Sequence, residues 1–150
     1  MLVQPISFII NFFGHYRWTH PKKGEENSKN QLKVTLLSNG QRVRFLVQTL
    51  VITAVWGFAL TYLDQLFPQI FSKAQKPFLD AFVTVMILTA QYLSAQKKLD
   101  CWGAWFIVNI TNITLYILAG LAFLPMVSAA YLVLAFFGFA MWRRQWQNNN

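Results

Sequence analysis

Five runs of mostly apolar residues divide the chain, at approximately Val3–Tyr16, Phe45–Phe67, Pro77–Ala95, Trp102–Gly120 and Leu124–Trp142. Runs of about 20 residues without charge are the mark of membrane-spanning helices, and the pattern predicts an all-α, multi-span helical bundle. The first run is the shortest and contains Pro5 and Asn11. Between runs one and two, Thr19–Gly40 is the only long polar stretch, with Pro21, Gly24 and mixed charge, and it reads as a loop carrying at most a short surface helix. The other connections are brief: Phe67–Pro77 with Pro77 placed for a first helical turn, Gln96–Asp100, and Gly120–Pro125.

Polar side chains within these runs are not scattered. In the fourth run Trp102, Trp105, Asn109, Asn112 and Tyr116 fall within an arc of about 80° at 100° per residue. Asp80, Thr84, Gln91 and Ser94 make a similar stripe in the third run, and Gln4, Asn11, His15 and Trp18 make one in the first. An unpartnered amide in hydrocarbon costs several kcal/mol, so the stripes predict faces turned to protein or to a water-filled path. Taken singly, such residues are interhelical glue or interfacial anchors, and Trp18, Trp56, Trp142 and Trp146 are read that way. Three stripes together point to a lined cavity, uncharged, aromatic and amide-rich, suited to a flat ring bearing hydroxyl or carboxamide groups. A short echo runs through the chain: Phe12-Phe13-Gly14 with Trp18 matches Phe136-Phe137-Gly138 with Trp142, each copy beside an arginine. Repeats in one orientation occur in some carriers.

Composition sharpens this picture. Of 150 residues, 55% are apolar, 17% aromatic and 12% charged, half the charge of an average soluble domain. The net charge of +8 would suit nucleic acid, but its placement speaks against that partner. Arg17, Lys22, Lys23, Lys29, Lys33, Arg42 and Arg44 precede run two, Lys97 and Lys98 separate runs three and four, and Arg143 and Arg144 end run five. Only Lys73 and Lys76 lie in connections on the other side. This is the positive-inside asymmetry, and it predicts a multi-pass protein of the cell membrane with its N-terminus outside and its C-terminus in the cytoplasm.

Cys101 is the single cysteine, which excludes an internal disulfide and a multi-cysteine metal site. No positive n-region or small-residue cleavage site marks a secretory signal. The sequons at Asn109 and Asn112 lie inside a span, where no glycan fits. With two histidines and no paired intramembrane acids, neither a nucleophile–base pair nor a metal cluster can be drawn. A membrane-embedded enzyme is therefore disfavoured, and no catalytic residue, metal or cofactor is expected.

The run from Pro77 to Trp146 strongly resembles the C-terminal half of the nicotinamide riboside transporter (PnuC) family. Trp102-x-x-Trp105-x-x-x-Asn109 matches its W-x-x-W-x-x-x-N motif, supported by Leu79-Asp80-Ala81, Ala90-Gln91, Lys97-Lys98, Leu115-Tyr116, Gly138 and the Trp-Arg-Arg ending. Gly14-x-Tyr16-x-Trp18 is similar to the motif closing the family's first repeat. The resemblance implies facilitated diffusion of nicotinamide riboside, trapped by cytosolic phosphorylation, through a SWEET-like architecture of parallel three-helix bundles. It implies that Trp102 and Trp105 wall or stack on the pyridinium ring, that Asn109 bonds a carboxamide or hydroxyl, and that Gln91 and Thr84 face them from span three. Asn112, Gln4 and Asn11 are further candidates. Asp80 either draws the cation to the outer mouth or is a helix-end residue.

Laid on that plan, 1–18 would be the last helix of an incomplete first bundle, 19–44 a cytoplasmic loop, 45–67 the linking span and 77–146 the complete second bundle. The family's first two core helices have no counterpart, as in a fragment, a misplaced start codon or a naturally halved protein. A homodimer or a separate N-terminal half is then the expected partner beside the lipid bilayer. A non-transporting subunit or remnant of such a carrier is the alternative.

Overall fold

The structure, a computed structural model, describes residues 3–27, 30–66 and 76–148. Five helices run through them: α1 Val3–Thr19, α2 Asn39–Leu66, α3 Pro77–Ala95, α4 Cys101–Leu118 and α5 Phe123–Asn148. The last four are long and apolar enough to cross a membrane. The expected first span is helical but has 17 residues, about 26 Å at 1.5 Å per residue, against a hydrocarbon core of about 30 Å. Most of the turn expected between Phe67 and Pro77 lies outside the described residues.

Helix α2 begins at Asn39, six residues before the expected start at Phe45. The cause is a reciprocal cap. The Ser38 N–H donates to Gln41 Oε1 at 3.0 Å while the Gln41 N–H donates to Ser38 Oγ at 3.3 Å, the capping-box arrangement. Arg42 and Arg44, read as loop, therefore sit in the first turns of the helix.

Helix α3 is the hub. It packs on α1, α2 and α4, and α4 in turn packs on α5. Small residues permit the close crossings: Ala81 and Ala90 are fully buried, and a Cβ added at Gly14 would come within 2.9 Å of Ala95 Cβ. One core lies between α3 and α4, formed by Val83, Met86, Ala90, Ala104 and Val108.

A second core gathers Val34, Leu37, Leu93, Leu99, Cys101 and Trp142 around the α3–α4 turn. Two of these residues come from the 19–38 stretch, whose described residues form an ordered loop without helix beyond Thr19, laid as a strap over the turn. Thr35 forms a parallel bridge with Lys98, with the Leu99 N–H donating to the Thr35 carbonyl at 2.9 Å. Lys98 Nζ donates to Thr35 Oγ1 at 2.8 Å, and Arg17 pairs with Glu25 at 3.2 Å.

Asp100 pins the end of the strap. It accepts the Leu37 N–H at 2.8 Å and Arg42 Nε at 2.7 Å. Bonds to a charged group contribute about 1.5–3 kcal/mol, and the exposed guanidinium earns only the lower part of that range. Asp100→Ala should thus cost about 2 kcal/mol, seen as a lowered thermal midpoint of the detergent-solubilised protein. Asp100→Asn, which keeps an acceptor for Leu37, should cost less. An unchanged midpoint in both would mean that the strap is not anchored there.

Candidate functional site

The five residues of the α4 stripe open onto one cavity. Trp102, Trp105, Asn109, Asn112 and Tyr116 all line it, along about 21 Å of helix. The facing wall is α5, through Leu124, Val127, Ser128, Tyr131, Leu134 and Ala135, and α3 adds Ile87. The volume, about 520 Å³, falls within the range of small-molecule sites. No lining residue is charged at neutral pH. Four rings and two carboxamides supply the chemistry, with one hydroxyl from the buried Ser128.

Asn109 is itself buried, and its Nδ2 donates to the Trp105 carbonyl one turn back at 2.8 Å. That bond uses one of the two Nδ2 hydrogens and orients the amide, leaving Oδ1 and the second N–H to offer a ligand. Trp105 lies between the α3–α4 core and the cavity, partly buried against both. Trp102 closes one end. Its ring meets Trp142 edge-on, with centroids 5.3 Å apart and planes at 82°, and its six-membered ring packs against Gly138, where any Cβ would collide with it. The Trp102 Nε1 is buried without a partner among the described residues.

The remaining expected site residues lie elsewhere. Thr84 and Gln91 sit on the same side of α3 as Ile87, about one turn to either side. Yet α3 reaches the cavity through Ile87 alone, because its close packing on α4 fills the space between them. Gln91 keeps Oε1 buried and unpartnered among the described residues. Asp80 is exposed in the first turn of α3, where a carboxylate is favoured by the helix dipole. Gln4 is exposed on α1. Asn11 lines a different cavity of about 190 Å³ between α1 and α3, with Gly14, His15, Trp18, Ser94 and Ala95.

Of the tryptophans read as interfacial anchors, two pack into the core around the α3–α4 turn. Trp142 is only 8% exposed, and Trp18 is partly buried against the same core. Sequence reasoning missed the α5 wall. Its residues recur every three or four positions, but only Ser128 and Tyr131 among them carry polar groups, and an apolar face within a membrane span carries no signal of its own. Among the described residues no cluster of His, Cys, Asp and Glu could hold a metal.

Known proteins resemble the chain in sequence and in fold. The riboflavin/roseoflavin transporter RibM of Streptomyces davaonensis is 23% identical over 93% of the chain and 61% of its own length. The nicotinamide riboside transporter PnuC of Escherichia coli is 24% identical over 95% of the chain and 65% of its own length. The crystal structure of the vitamin B3 transporter PnuC superposes on the whole chain, covering 63% of that protein, with a TM-score of 0.70 at 21% identity, a likeness of fold. The chain thus spans somewhat less than two-thirds of the length of these relatives. The family described as nicotinamide mononucleotide transporter matches residues 1–144, nearly the whole chain, and the protein belongs to that family of membrane transporters.

Proposed function

We propose that the chain carries nicotinamide riboside across the cell membrane by facilitated diffusion, with intracellular phosphorylation trapping the vitamin. The observation that supports this most directly is the cavity between α4 and α5, neutral, walled by four rings and edged by Asn109 and Asn112. Nicotinamide riboside carries its charge in a flat pyridinium ring, and a cation over an indole gains about 0.5–2 kcal/mol. Trp102 and Trp105 are assigned to the ring. Asn109 Oδ1, Asn112 and Ser128 are assigned to the carboxamide and ribose hydroxyls. No cation lines the described cavity to pair with a phosphate, which favours the nucleoside over the nucleotide.

The basic asymmetry supports an orientation with the strap, the α3–α4 turn and Arg143–Arg144 in the cytoplasm and the N-terminus outside. Gln4, Asn11 and His15 are exposed along α1, and polar groups at that depth call for protein rather than lipid. A second copy or a separate N-terminal half is the cover proposed for this face, completing the first bundle.

The similarity to RibM favours one rival cargo, since riboflavin is also flat and hydroxyl-rich. Uptake of labelled nicotinamide riboside and labelled riboflavin should be compared in cells that lack their own carriers but contain the corresponding kinases. Accumulation of nicotinamide riboside alone is expected. Asn109→Ala should lower it several-fold, as loss of one hydrogen bond of about 1 kcal/mol implies. Uptake of riboflavin instead would transfer the site to the flavin. No uptake of either, at normal membrane abundance, would leave the remnant reading.

A further inference from the structure

The echo between Phe12-Phe13-Gly14…Trp18 and Phe136-Phe137-Gly138…Trp142 has a structural counterpart. α1 does not pack along α5, yet their two echoed tryptophans meet, with centroids 5.8 Å apart and planes at 64°. Trp142 in turn meets Trp102, the last cavity residue at that end. On α5 the cavity wall runs through Leu124, Val127, Ser128, Tyr131, Leu134 and Ala135, and continuing the same spacing gives Gly138 and Trp142. The cavity stops at Trp102, and behind it Trp142 and then Trp18 follow in a series of edge contacts in the core beneath the strap.

The two sides of this series are held differently. Trp18 is fastened to α3: its Nε1 donates to the Ala95 carbonyl at 3.1 Å, Lys97 Nζ lies 5.4 Å from its ring centroid, and Gly14 brings α1 against Ala95. Trp142 is fastened to α4 through Trp102. Between α1 and α5, the edge contact of Trp18 and Trp142 spans the gap. Aromatic edge contacts are specific in geometry but individually weak, a combination suited to a closure that must form and part repeatedly.

We propose that Trp18 and Trp142 are the closure at the α3–α4-turn end of the cavity, and that they separate to let the ligand pass on that side. That the passing ligand is the transported one rests on the reading above, whereas the closure itself can be tested without any ligand. Cys101, the only cysteine and fully buried, lies in the same core as Trp142, so it reports opening.

The experiment is alkylation of Cys101 by N-ethylmaleimide in the full chain, solubilised in detergent. Trp18→Leu removes the ring but keeps apolar volume, and Trp18→Phe keeps a ring. Both lose the bond to Ala95, so the pair isolates the ring contact. Trp18→Leu should raise the alkylation rate at least tenfold, while Trp18→Phe stays within about twofold of the unaltered protein. Equal rates in all three would overturn the closure. So would a Trp18→Leu rate matching that of the SDS-unfolded chain, because the loosening would then be general.

A second arm uses Trp18→Cys with Trp142→Cys in a Cys101→Ser background. Among the described residues no Cα pair between α1 and α5 lies within 8 Å, too far for a direct disulfide. The two thiols are therefore bridged by a bis-methanethiosulfonate reagent, which should stop uptake, and reduction should restore it. If alkylation behaves as expected but neither labelled vitamin is taken up before cross-linking, the cargo reading fails and the closure stands. Uptake that is undisturbed by a formed cross-link would overturn the closure.

Discussion

Gly138→Leu should abolish ligand binding and uptake while Gly103→Ala leaves both near normal. At Gly138 even a single methyl would collide with the six-membered ring of Trp102. Trp142 stands against that ring at 5.3 Å, which leaves the cavity itself as the direction in which it can retreat. Overpacking by a few methylenes ordinarily costs about 1–3 kcal/mol, and a leucine here would also push the indole into the cavity or split α4 from α5. Gly138→Ala should give the same defect in smaller measure. Gly103, also on α4, has nothing within 4 Å of its would-be Cβ, so alanine there should be neutral or stabilising by up to about 1 kcal/mol. The readouts are radioligand binding in detergent, uptake in cells, and the thermal midpoint. If Gly138→Leu binds and transports normally, the Trp102–Gly138 contact is not part of the working protein.

How much of this was legible in the sequence depended on the range of the physics. The α4 stripe was readable because side chains at a 3.6-residue period select one face, and Trp, Asn and Tyr stand out from an apolar background. All five of its members line the cavity. The opposite wall was not readable, because Leu124, Val127 and Leu134 look the same whether they face a cavity, a neighbouring helix or lipid. Thr84 and Gln91 show the converse limit. Their stripe was real as a pattern, but which stripes meet is decided by how closely two helices pack, and Ala90 against Ala104 and Val108 closes α3 onto α4.

The strap was hidden for a different reason. It is held by single polar contacts between residues 63 apart in the chain, Leu37 to Asp100 and Thr35 to Lys98, which leave no periodic trace. Only Ser38-x-x-Gln41 was a local signal, and Gly40 with its neighbouring arginines disguised it as loop. The burial of Trp142 was missed because tryptophan near a helix end is usually interfacial, and Trp18 packs partly against the same core. The echo that paired them was visible, though not what the pairing was for.

Trp105→Ala should weaken binding of nicotinamide riboside at least tenfold, about 1.4 kcal/mol, without unfolding the protein. The substitution is clean because Asn109 is oriented by the Trp105 backbone carbonyl, not by its side chain, so the amide stays in place when the indole is removed. The expected loss combines contact with the ring and the attraction of a cation to the indole face, itself about 0.5–2 kcal/mol. Trp105→Phe separates the two, since phenylalanine keeps an aromatic surface but attracts a cation less strongly than tryptophan. For the cationic nicotinamide riboside, Trp105→Phe should fall clearly between the unaltered protein and Trp105→Ala. For uncharged riboflavin it should lie close to the unaltered protein. Isothermal titration on the detergent-solubilised variants would read both. Undiminished binding in Trp105→Ala would remove the indole from the ligand's contacts and move the site toward Tyr116 and Tyr131, at the other end of the same cavity.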